Sequence, residues 1–351
     1  MWTRVGEGEA VARVEHAPDL VQRILPVLAD RKHAVHGQAA RAERQGLLDA
    51  GSQTHAVPAG ELAVVVNTGD DFEHFGLHVS PDLDTLLYTL AGINNPTTGW
   101  GRDAETWSFM RALEEVGAAT WFRLGDKDLA LNVLRTHALR SGTTLSEFMA
   151  DMAKRWGIAS HIIPMSDETV RTVIETELGP LDFQDYFVRQ QCEPVAQSIQ
   201  FRGASDAAPV AELQEIMTAG SLAAVIICPS NPYLSIDPIL SVPGIRDALG
   251  WCGAPVVAVS PVVSGDSLKG PTAKIMNELG IVCSATAIAQ HYHGLIDGLL
   301  IDTDDASLEA DISDFGIAVK LSDIVMRSAE DRCTLAKTVV QFAGELGCGV
   351  K

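Results

Sequence analysis

The sequence lacks the features that mark secreted and membrane-spanning proteins. Its six cysteines lie far apart with no C-x-x-C pair, so they predict no disulfide framework in a chain of 351 residues. The longest apolar runs have the length of a strand and fall well short of the roughly 20 residues that a spanning helix needs. The opening MWTRVGEGEA does not have the basic-then-apolar order of a signal peptide. We therefore expect a cytoplasmic protein with reduced thiols and no membrane partner.

Positive charge is also scarce. The chain has 26 basic and 46 acidic residues, which gives a formal net charge of -20. Such a surface repels phosphate backbones, so the composition excludes nucleic acid as a partner. A small phosphorylated ligand stays compatible with the sequence if a metal or backbone amides meet its phosphate. With 46% hydrophobic residues, the chain is apolar enough to fold as one large domain or two.

The N-terminal segment differs from the rest of the chain. In residues 1–60 seven basic and seven acidic side chains cancel, so residues 61–351 carry all of the net charge. The apolar pattern suggests one short amphipathic helix, which Pro26 would kink, and no convincing strand follows it. We expect residues 1–58 to form an atypical and poorly packed segment.

Five continuous apolar runs predict buried strands, because a strand covered on both faces needs no polar alternation. They are residues 62–66, 222–228, 255–259, 297–301 and 316–320. Helical patterns separate or follow the later runs, at residues 271–279, 285–292 and 330–346. This order predicts an α/β fold with a Rossmann-like, doubly wound and mostly parallel sheet, whose core comprises residues 59–117 and 205–351.

Residues 118–204 predict a mixed helical and β insertion beside the parallel core. Helical patterns within residues 103–157 end near Gly117, Gly142 and Gly157, where glycine allows a left-handed cap. The short alternating segments in residues 161–204 are more typical of antiparallel hairpins.

Four aspartates follow the first predicted strand closely: Asp70, Asp71, Asp82 and Asp84. The first two lie in the loop that opens with Asn67 and Thr68, at the carboxyl end of the strand, where open α/β sheets place their ligands. The other two occupy the first turn of a helix that begins at Ser80 and Pro81, where acidic side chains also complement the helix dipole. Spacing alone therefore leaves a Mg²⁺ site and a solvated, capped helix start equally open.

Three further stretches carry groups that suit small ligands, each with an ordinary alternative. Ser230 and Asn231, between two prolines after a predicted strand, form either a nucleotide or anion pocket or a common tight turn. Lys269 ends a Gly/Ser loop at a helix start, where phosphate often binds, although the chain has no Walker loop. Trp100 and Trp107 either form the wall of a flat heterocycle site or simply pack.

The chain has neither a catalytic triad nor a dinucleotide-binding G-x-G-x-x-G after a strand, which disfavours hydrolase and dehydrogenase functions. Seven segments, in this order, instead resemble the 2-phospho-L-lactate transferase family, which builds the deazaflavin coenzyme F-420. They are VVVNTGDDFEHFGLHVSPDLDTLLYTLAG (64–92), GWGRDAETW (99–107), WFRLGDKDLA (121–130), PMSD (164–167), FQDYFV (183–188), CPSNPYLSIDPIL (228–240) and SPVVSGDSLKGP (260–271). Together they span roughly residues 61–330.

The resemblance implies an enzyme that moves a 2-phospholactyl, phosphoenolpyruvyl or phosphoglyceryl group. The donor is a guanosine diphosphate adduct, the acceptor is the terminal ribityl hydroxyl of the deazaflavin Fo, and GMP leaves. The resemblance also implies dependence on Mg²⁺ and a homodimer.

Carried onto this sequence, the family pattern makes Asp71 and Asp82 the metal ligands. Asp70 and Asp84 support them or orient the attacking hydroxyl as a base. The remaining candidate residues are assigned to different parts of the two substrates. Ser230 and Asn231 would hold the nucleotide side, Lys269 would meet the phosphates, and Trp100, Trp107 and Asp126 would face the deazaflavin. Asn67 and Thr68 are further candidates for substrate binding.

Residues 1–60 depart from this family pattern. Relatives of this kind open with a strand and a G-G-x-G-G loop, whereas here only Gly6-Glu7-Gly8 is faintly similar and it follows no strand. We expect residues 1–54 to derive from an altered reading frame or a displaced start, because family-like sequence begins abruptly near His55. Two alternatives to the active transferase therefore stay open: an inactive transferase-like chain, and a non-catalytic nucleotide or nucleotide-sugar binding regulator of the same superfamily.

Overall fold

The computed structural model of the protein describes residues 57–267 and 270–349. The predictions for residues 1–56, including the expected poor packing and the displaced start, lie outside the described residues. The same holds for Lys269.

Strands and helices alternate through much of the described chain. The strands are β1 (Ala63–Val66), β2 (Phe72–His74), β3 (Leu77–Val79), β4 (His161–Pro164), β5 (Arg171–Thr176), β6 (Gly179–Asp182), β7 (Ala196–Arg202), β8 (Val225–Ile227), β9 (Val256–Val259), β10 (Val262–Val263), β11 (Asp266–Ser267), β12 (Gly298–Asp302) and β13 (Ala318–Ser322). The helices are α1 (Pro81–Ala91), α2 (Ser108–Glu115), α3 (Asp126–Arg140), α4 (Leu145–Arg155), α5 (Ala211–Thr218), α6 (Asp237–Leu240), α7 (Ile245–Trp251), α8 (Thr272–Glu278), α9 (Ala285–His291), α10 (Glu309–Ser313) and α11 (Ala329–Gly349). Two five-residue turns, Asp185–Arg189 and Pro232–Ile236, have π-helical geometry.

A four-stranded parallel sheet with the order β13-β12-β9-β8 forms the centre of the fold. Every residue of β9 and β12 is buried, as their continuous apolar runs predicted. Alternate residues of β9 belong to two different apolar clusters, with Val256 and Ala258 in one and Val257 and Val259 in the other. Both faces of the sheet are therefore covered, which confirms the predicted doubly wound α/β fold.

β1 and β4 form a separate parallel pair, in which Val64 lies opposite Ile162. Val64 and Val66 share an apolar cluster with Val257 and Leu300 of the central sheet. The two sheets therefore share one core.

The parallel pairing of β4 corrects the expectation of a hairpin at the start of residues 161–204. The apolar residues of a short strand look alike in either pairing, so the sequence did not reveal the partner. The direction is decided by the connection through α1 to α4, because a long helical crossover returns the chain parallel to the strand it left. β5 pairs antiparallel with both β6 and β7, as predicted. The expected strand over 181–188 is wrong beyond Asp182, because the chain there enters the π-helical turn Asp185–Arg189.

The helices follow their sequence signals closely. Leu83, Leu86 and Leu87 of α1 are buried, and each such side chain contributes about 1.5–3 kcal/mol relative to exposure. α1 ends at Gly92, whose φ of 68° is the left-handed conformation that glycine adopts without strain. The predicted glycines after α2, α3 and α4 also have positive φ. In the described part of the chain, no helix is both long enough and apolar enough to cross a membrane.

Candidate functional site

The loop after β1 is fixed against the π-helical turn that follows β8. The Asn67 side chain accepts a hydrogen bond from the Gly69 N–H at 2.7 Å and donates one to the Leu234 carbonyl at 3.4 Å. Gly69 leaves no room for a side chain, since a Cβ there would lie 2.9 Å from the Asn67 oxygen and 3.1 Å from Pro238 Cβ. Two stretches that are far apart in the sequence therefore meet at the carboxyl ends of parallel strands, where α/β sheets bind ligands.

Asp71 is held rigidly in this loop and is almost fully buried. Its Oδ2 accepts hydrogen bonds from Ser80 Oγ at 2.7 Å and lies 3.1 Å from His78 Nε2. Ser80 stands at the N-cap position of α1 as predicted. Its hydroxyl accepts no capping bond from the helix and donates to the Asp71 carboxylate. The fixed Oδ2 leaves Oδ1 of Asp71 free to meet a ligand.

Asp70 and Asp82 are buried close enough to Asp71 for their charges to interact. Burial, reinforced by the negative charge of Asp82, raises the pKa of Asp70 well above its usual range. Burial and the negative charge of Asp71 raise the pKa of Asp82 to about 8. Ionised carboxylates crowded in this way repel one another, so a bound cation would stabilise their charged forms.

Enclosed oxygens without a hydrogen-bond partner indicate where a cation fits. Asp70 Oδ1 and Asp71 Oδ1 are both of this kind. Among the described residues, no three His, Cys, Asp or Glu side chains come together as a complete metal site. Mg²⁺ commonly takes only one or two carboxylates and fills its shell with water and phosphate oxygens. The residues present therefore fit a Mg²⁺ ion that a ligand helps to hold.

Asp84 differs from the other three aspartates because it is paired with a buried cation. The guanidinium of Arg135, which is 0% exposed, bonds to Asp84 and also donates to Asn132 Oδ1 at 3.0 Å and to the His78 carbonyl at 3.2 Å. Burial raises the pKa of Asp84 to about 7, although the positive charge of Arg135 opposes that rise. Arg135 comes from α3, so this ion pair ties α1 to α3 beneath the loop.

Ser230 and Asn231 face the same region from the turn after β8. Asn231 Oδ1 accepts hydrogen bonds from the Tyr233 and Leu234 N–H groups, at 3.0 and 3.1 Å, and so begins the π-helical turn. Ser230 Oγ and Asn231 Nδ2 are enclosed and have no partner. The ordinary-turn interpretation explains the first set of bonds, and the two unpaired polar atoms leave donors for a ligand.

A cavity of about 820 Å³ opens beside α1. Its wall carries Trp100, Trp107 and Trp121, which makes it suited to a flat aromatic ligand. The guanidinium of Arg123 lies 4.6 Å from the centre of the Trp107 ring. Trp100 and Trp107 thus occupy positions that agree with the predicted heterocycle wall.

The polar lining of the cavity divides into a floor of buried or half-buried side chains and an exposed rim. The floor consists of Asp84, Thr85, Tyr88 and Asp128, and the rim of Arg111, Glu114, Arg123, Arg189 and Gln191. In the floor, the Tyr88 hydroxyl donates to Asp128 Oδ1 at 2.5 Å. Since Asp84 belongs to α1 together with Asp82, the floor adjoins the carboxylate cluster.

Asp126 is placed differently from its predicted role on the deazaflavin side. It does not line the cavity, and its carboxylate accepts hydrogen bonds from the Thr106 hydroxyl at 2.5 Å and from the Ser108 and Phe109 N–H groups at 3.0 Å. These bonds, the one from Thr106 above all, lower the pKa of Asp126 to about 2. Asp126 therefore fixes the start of α2, and through it the position of Trp107.

Sequence reasoning missed several groups that the tertiary structure brings to the site. They are His78, Tyr88, Asp128, Arg135, Thr172 and Gln184. The side chain of Gln184 donates to the Asp70 carbonyl at 3.1 Å, and Thr172 Oγ1 is enclosed without a partner. One signal was available for Arg135: in α3 it shares a helix face with the buried Leu131 and Asn132. A charged residue on a buried face predicts an internal partner, but not which one.

Fold and site together define an α/β protein whose ligand site lies at strand carboxyl ends. Within it, buried carboxylates, two of which carry an oxygen without a hydrogen-bond partner, adjoin an aromatic cavity. This arrangement is suited to joining a phosphorylated donor to a planar acceptor.

Comparison with known proteins identifies the family to which the chain belongs. The family model for the 2-phospho-L-lactate transferase CofD matches residues 45–328, and the chain belongs to this family of transferases. A phosphoenolpyruvate transferase of Streptomyces griseus is 38% identical over 297 residues, which cover 83% of this chain and 93% of that protein. A 2-phospho-L-lactate transferase of Methanococcoides burtonii is 35% identical over 288 residues, which cover 82% of this chain and 93% of that protein. The resemblance inferred from the seven segments is thereby confirmed.

A solved structure supports the fold alone. A protein of the UPF0052 family from Bacillus halodurans superposes with a TM-score of 0.51 at 16% identity. The match covers 79% of this chain and 90% of that one.

Proposed function

We propose that the protein transfers a phosphoenolpyruvyl or 2-phospholactyl group from a guanosine diphosphate adduct to the deazaflavin Fo. A phosphoglyceryl group is the third candidate. The products are GMP and the corresponding precursor of coenzyme F-420. The family and its relatives support the transferase, and the relatives' names include both of the first two groups.

One observation carries the proposal: the first turn of α1 joins the two halves of the site. Asp82 belongs to the buried carboxylate cluster, and Asp84 two residues later lines the aromatic cavity. A donor phosphate at the cluster and an acceptor ring in the cavity would therefore meet across α1. Such positioning accounts for most of what an enzyme contributes to phosphoryl transfer.

In the reaction, the terminal hydroxyl oxygen of the acceptor forms a bond to the distal phosphorus of the donor. The bond between that phosphorus and the oxygen of GMP breaks, and the hydroxyl proton passes to a carboxylate base, for which Asp84 and Asp70 are the candidates. Asp71 and Asp82 would hold Mg²⁺, which when bound neutralises charge on the phosphate oxygens. Asp70 would support the ligands, and Asp84, oriented by Arg135, would accept a hydrogen bond from the acceptor.

The nucleotide side is assigned to the polar groups around the turn after β8. Ser230, Asn231 and Thr68 carry enclosed atoms without partners, which suits the guanosine monophosphate part of the donor. Lys269, which lies outside the described residues, stays a proposed phosphate contact. A homodimer in the cytoplasm is part of the same proposal and is supported by the family likeness.

The test combines the full-length purified protein with Fo and the guanylyl adducts of phosphoenolpyruvate, 2-phospholactate and 3-phosphoglycerate. Each mixture is run with Mg²⁺ and with EDTA, and mass spectrometry detects GMP and the F-420 precursor. We expect product from one adduct, in Mg²⁺ only. The Streptomyces griseus relative serves as the positive control.

Absence of product from a folded protein, when the control reacts, would contradict the proposed activity. Guanine nucleotide binding without product would then favour the inactive chain or the regulator. Sedimentation of the same sample as a monomer would contradict the homodimer without bearing on the chemistry.

A further inference from the structure

We infer that the cavity floor selects acceptors whose tail ends in a free hydroxyl and rejects those whose tail already carries a phosphate. The inference rests on the proposed acceptor site, and it adds a specificity that the transferase activity alone does not require. Its basis is the separation of charge between the floor and the rim of the cavity.

The floor presents hydrogen-bond acceptors to a ligand. One oxygen of Asp128 accepts a hydrogen bond from the Tyr88 hydroxyl at 2.5 Å, which leaves the other oxygen available. The backbone N–H of Asp128 donates to the Glu105 carboxylate at 2.8 Å, which fixes the backbone at this position. A carboxylate held in this way suits a neutral donor such as a sugar hydroxyl.

The two arginines whose positive charges act on Asp128, Arg135 and Arg102, do not line the cavity. Arg135 does not line the cavity, and its guanidinium is occupied by Asp84, Asn132 and the His78 carbonyl. It therefore fixes Asp84, and its Nε, which is enclosed without a partner, does not line the cavity.

The basic side chains that line the cavity, Arg111, Arg123 and Arg189, are all exposed and form its rim. A ligand whose ring stacks on the tryptophan wall and whose tail reaches α1 places the end of that tail at the acidic floor. A terminal phosphate would there meet Asp128 and the neighbouring carboxylates, and like charges brought together in a poorly solvated site repel strongly.

The experiment measures binding by deazaflavin fluorescence. EDTA removes divalent cations, so the measured affinity depends on the side chains of the protein alone. Three ligands share one ring: Fo, Fo phosphorylated on its terminal hydroxyl, and the same ring with a methyl group in place of the tail. We expect Fo to bind at least about tenfold more tightly than its phosphate. Fo acetylated on the same hydroxyl separates charge from size, and we expect its affinity to stay close to that of Fo.

The variant Asp128→Asn keeps the shape of the floor and removes the negative charge of Asp128. We expect this variant to reduce the ratio of the affinity for Fo to the affinity for its phosphate at least about threefold. The matched control is Glu115→Gln, which removes an exposed charge of α2 outside the cavity lining. This control should leave the ratio of the two affinities unchanged. The methyl-bearing ring should bind equally to all three proteins.

The outcomes separate this inference from the proposed function. If the phosphate binds as tightly as Fo, or if the acetate ester is rejected as strongly as the phosphate, the charge-based selection is wrong and the acceptor site stands. An unchanged difference in a folded Asp128→Asn variant would also overturn it. If neither Fo nor the methyl-bearing ring binds, the acceptor site itself is misassigned and both conclusions fail.

Discussion

Replacing Arg135 with methionine should destabilise the protein severely, because it leaves a carboxylate buried without its cation. The guanidinium is 0% exposed and bonds to Asp84, to Asn132 and to the His78 carbonyl. Removing one partner of a buried ion pair costs about 3–5 kcal/mol. That is a large fraction of the roughly 5–15 kcal/mol by which folded domains are stable. Urea unfolding followed by circular dichroism measures the loss.

Two variants decide whether charge pairing is the cause. Adding Asp84→Leu to Arg135→Met should recover most of the loss, because well-packed apolar residues often replace a buried ion pair without penalty. Arg155→Met breaks the exposed pair with Asp151, whose N···O distance is 2.7 Å, and should cost only about 0.3–0.5 kcal/mol. The reasoning is refuted if Arg135→Met costs no more than Arg155→Met, or if the second substitution recovers nothing.

Three other predictions concern the metal, the pH and a helix start. Asp71→Asn should reduce product formation at least about a hundredfold, since a metal contributes several kcal/mol to such reactions, and wild-type turnover would contradict its role. The raised pKa values of Asp82, about 8, and Asp84, about 7, mean that the folded protein keeps protons that unfolded carboxylates have released. Raising the pH from about 4 to about 8 without metal should therefore lower the free energy of unfolding, less steeply in Asp82→Asn; equal slopes in urea titrations would oppose this. Glu105→Ala removes the acceptor of two N–H bonds at the start of α3 and should cost about 0.5–2 kcal/mol, which an unchanged urea midpoint would contradict.

The sequence was sufficient for the parallel core because its signal is local. A strand buried on both faces must be apolar throughout, and β9 and β12 are. The helix ends at Gly92 and at the glycines after α2 to α4 were equally readable, since a left-handed cap depends on a single residue type.

The sequence did not predict the strand with which β4 pairs or the group to which the Ser80 hydroxyl donates. Each depends on a partner that another part of the chain supplies: β1 for the strand, and Asp71 for the hydroxyl. A short apolar run or an N-cap serine has the same local preference whichever partner it finds.

The sequence by itself determined which chemical groups the site can contain. The aspartates after β1, the polar turn after β8 and the tryptophans all stand within short, recognisable segments, and those segments were enough to indicate the family. Only the tertiary structure decided what each group does. It paired Asp84 with Arg135, directed Asp126 to the start of α2, and set Tyr88 and Asp128 at the floor of the cavity. These roles follow from burial and from contacts between residues 18 to 51 positions apart, because the charges and the solvent around a carboxylate decide how it behaves.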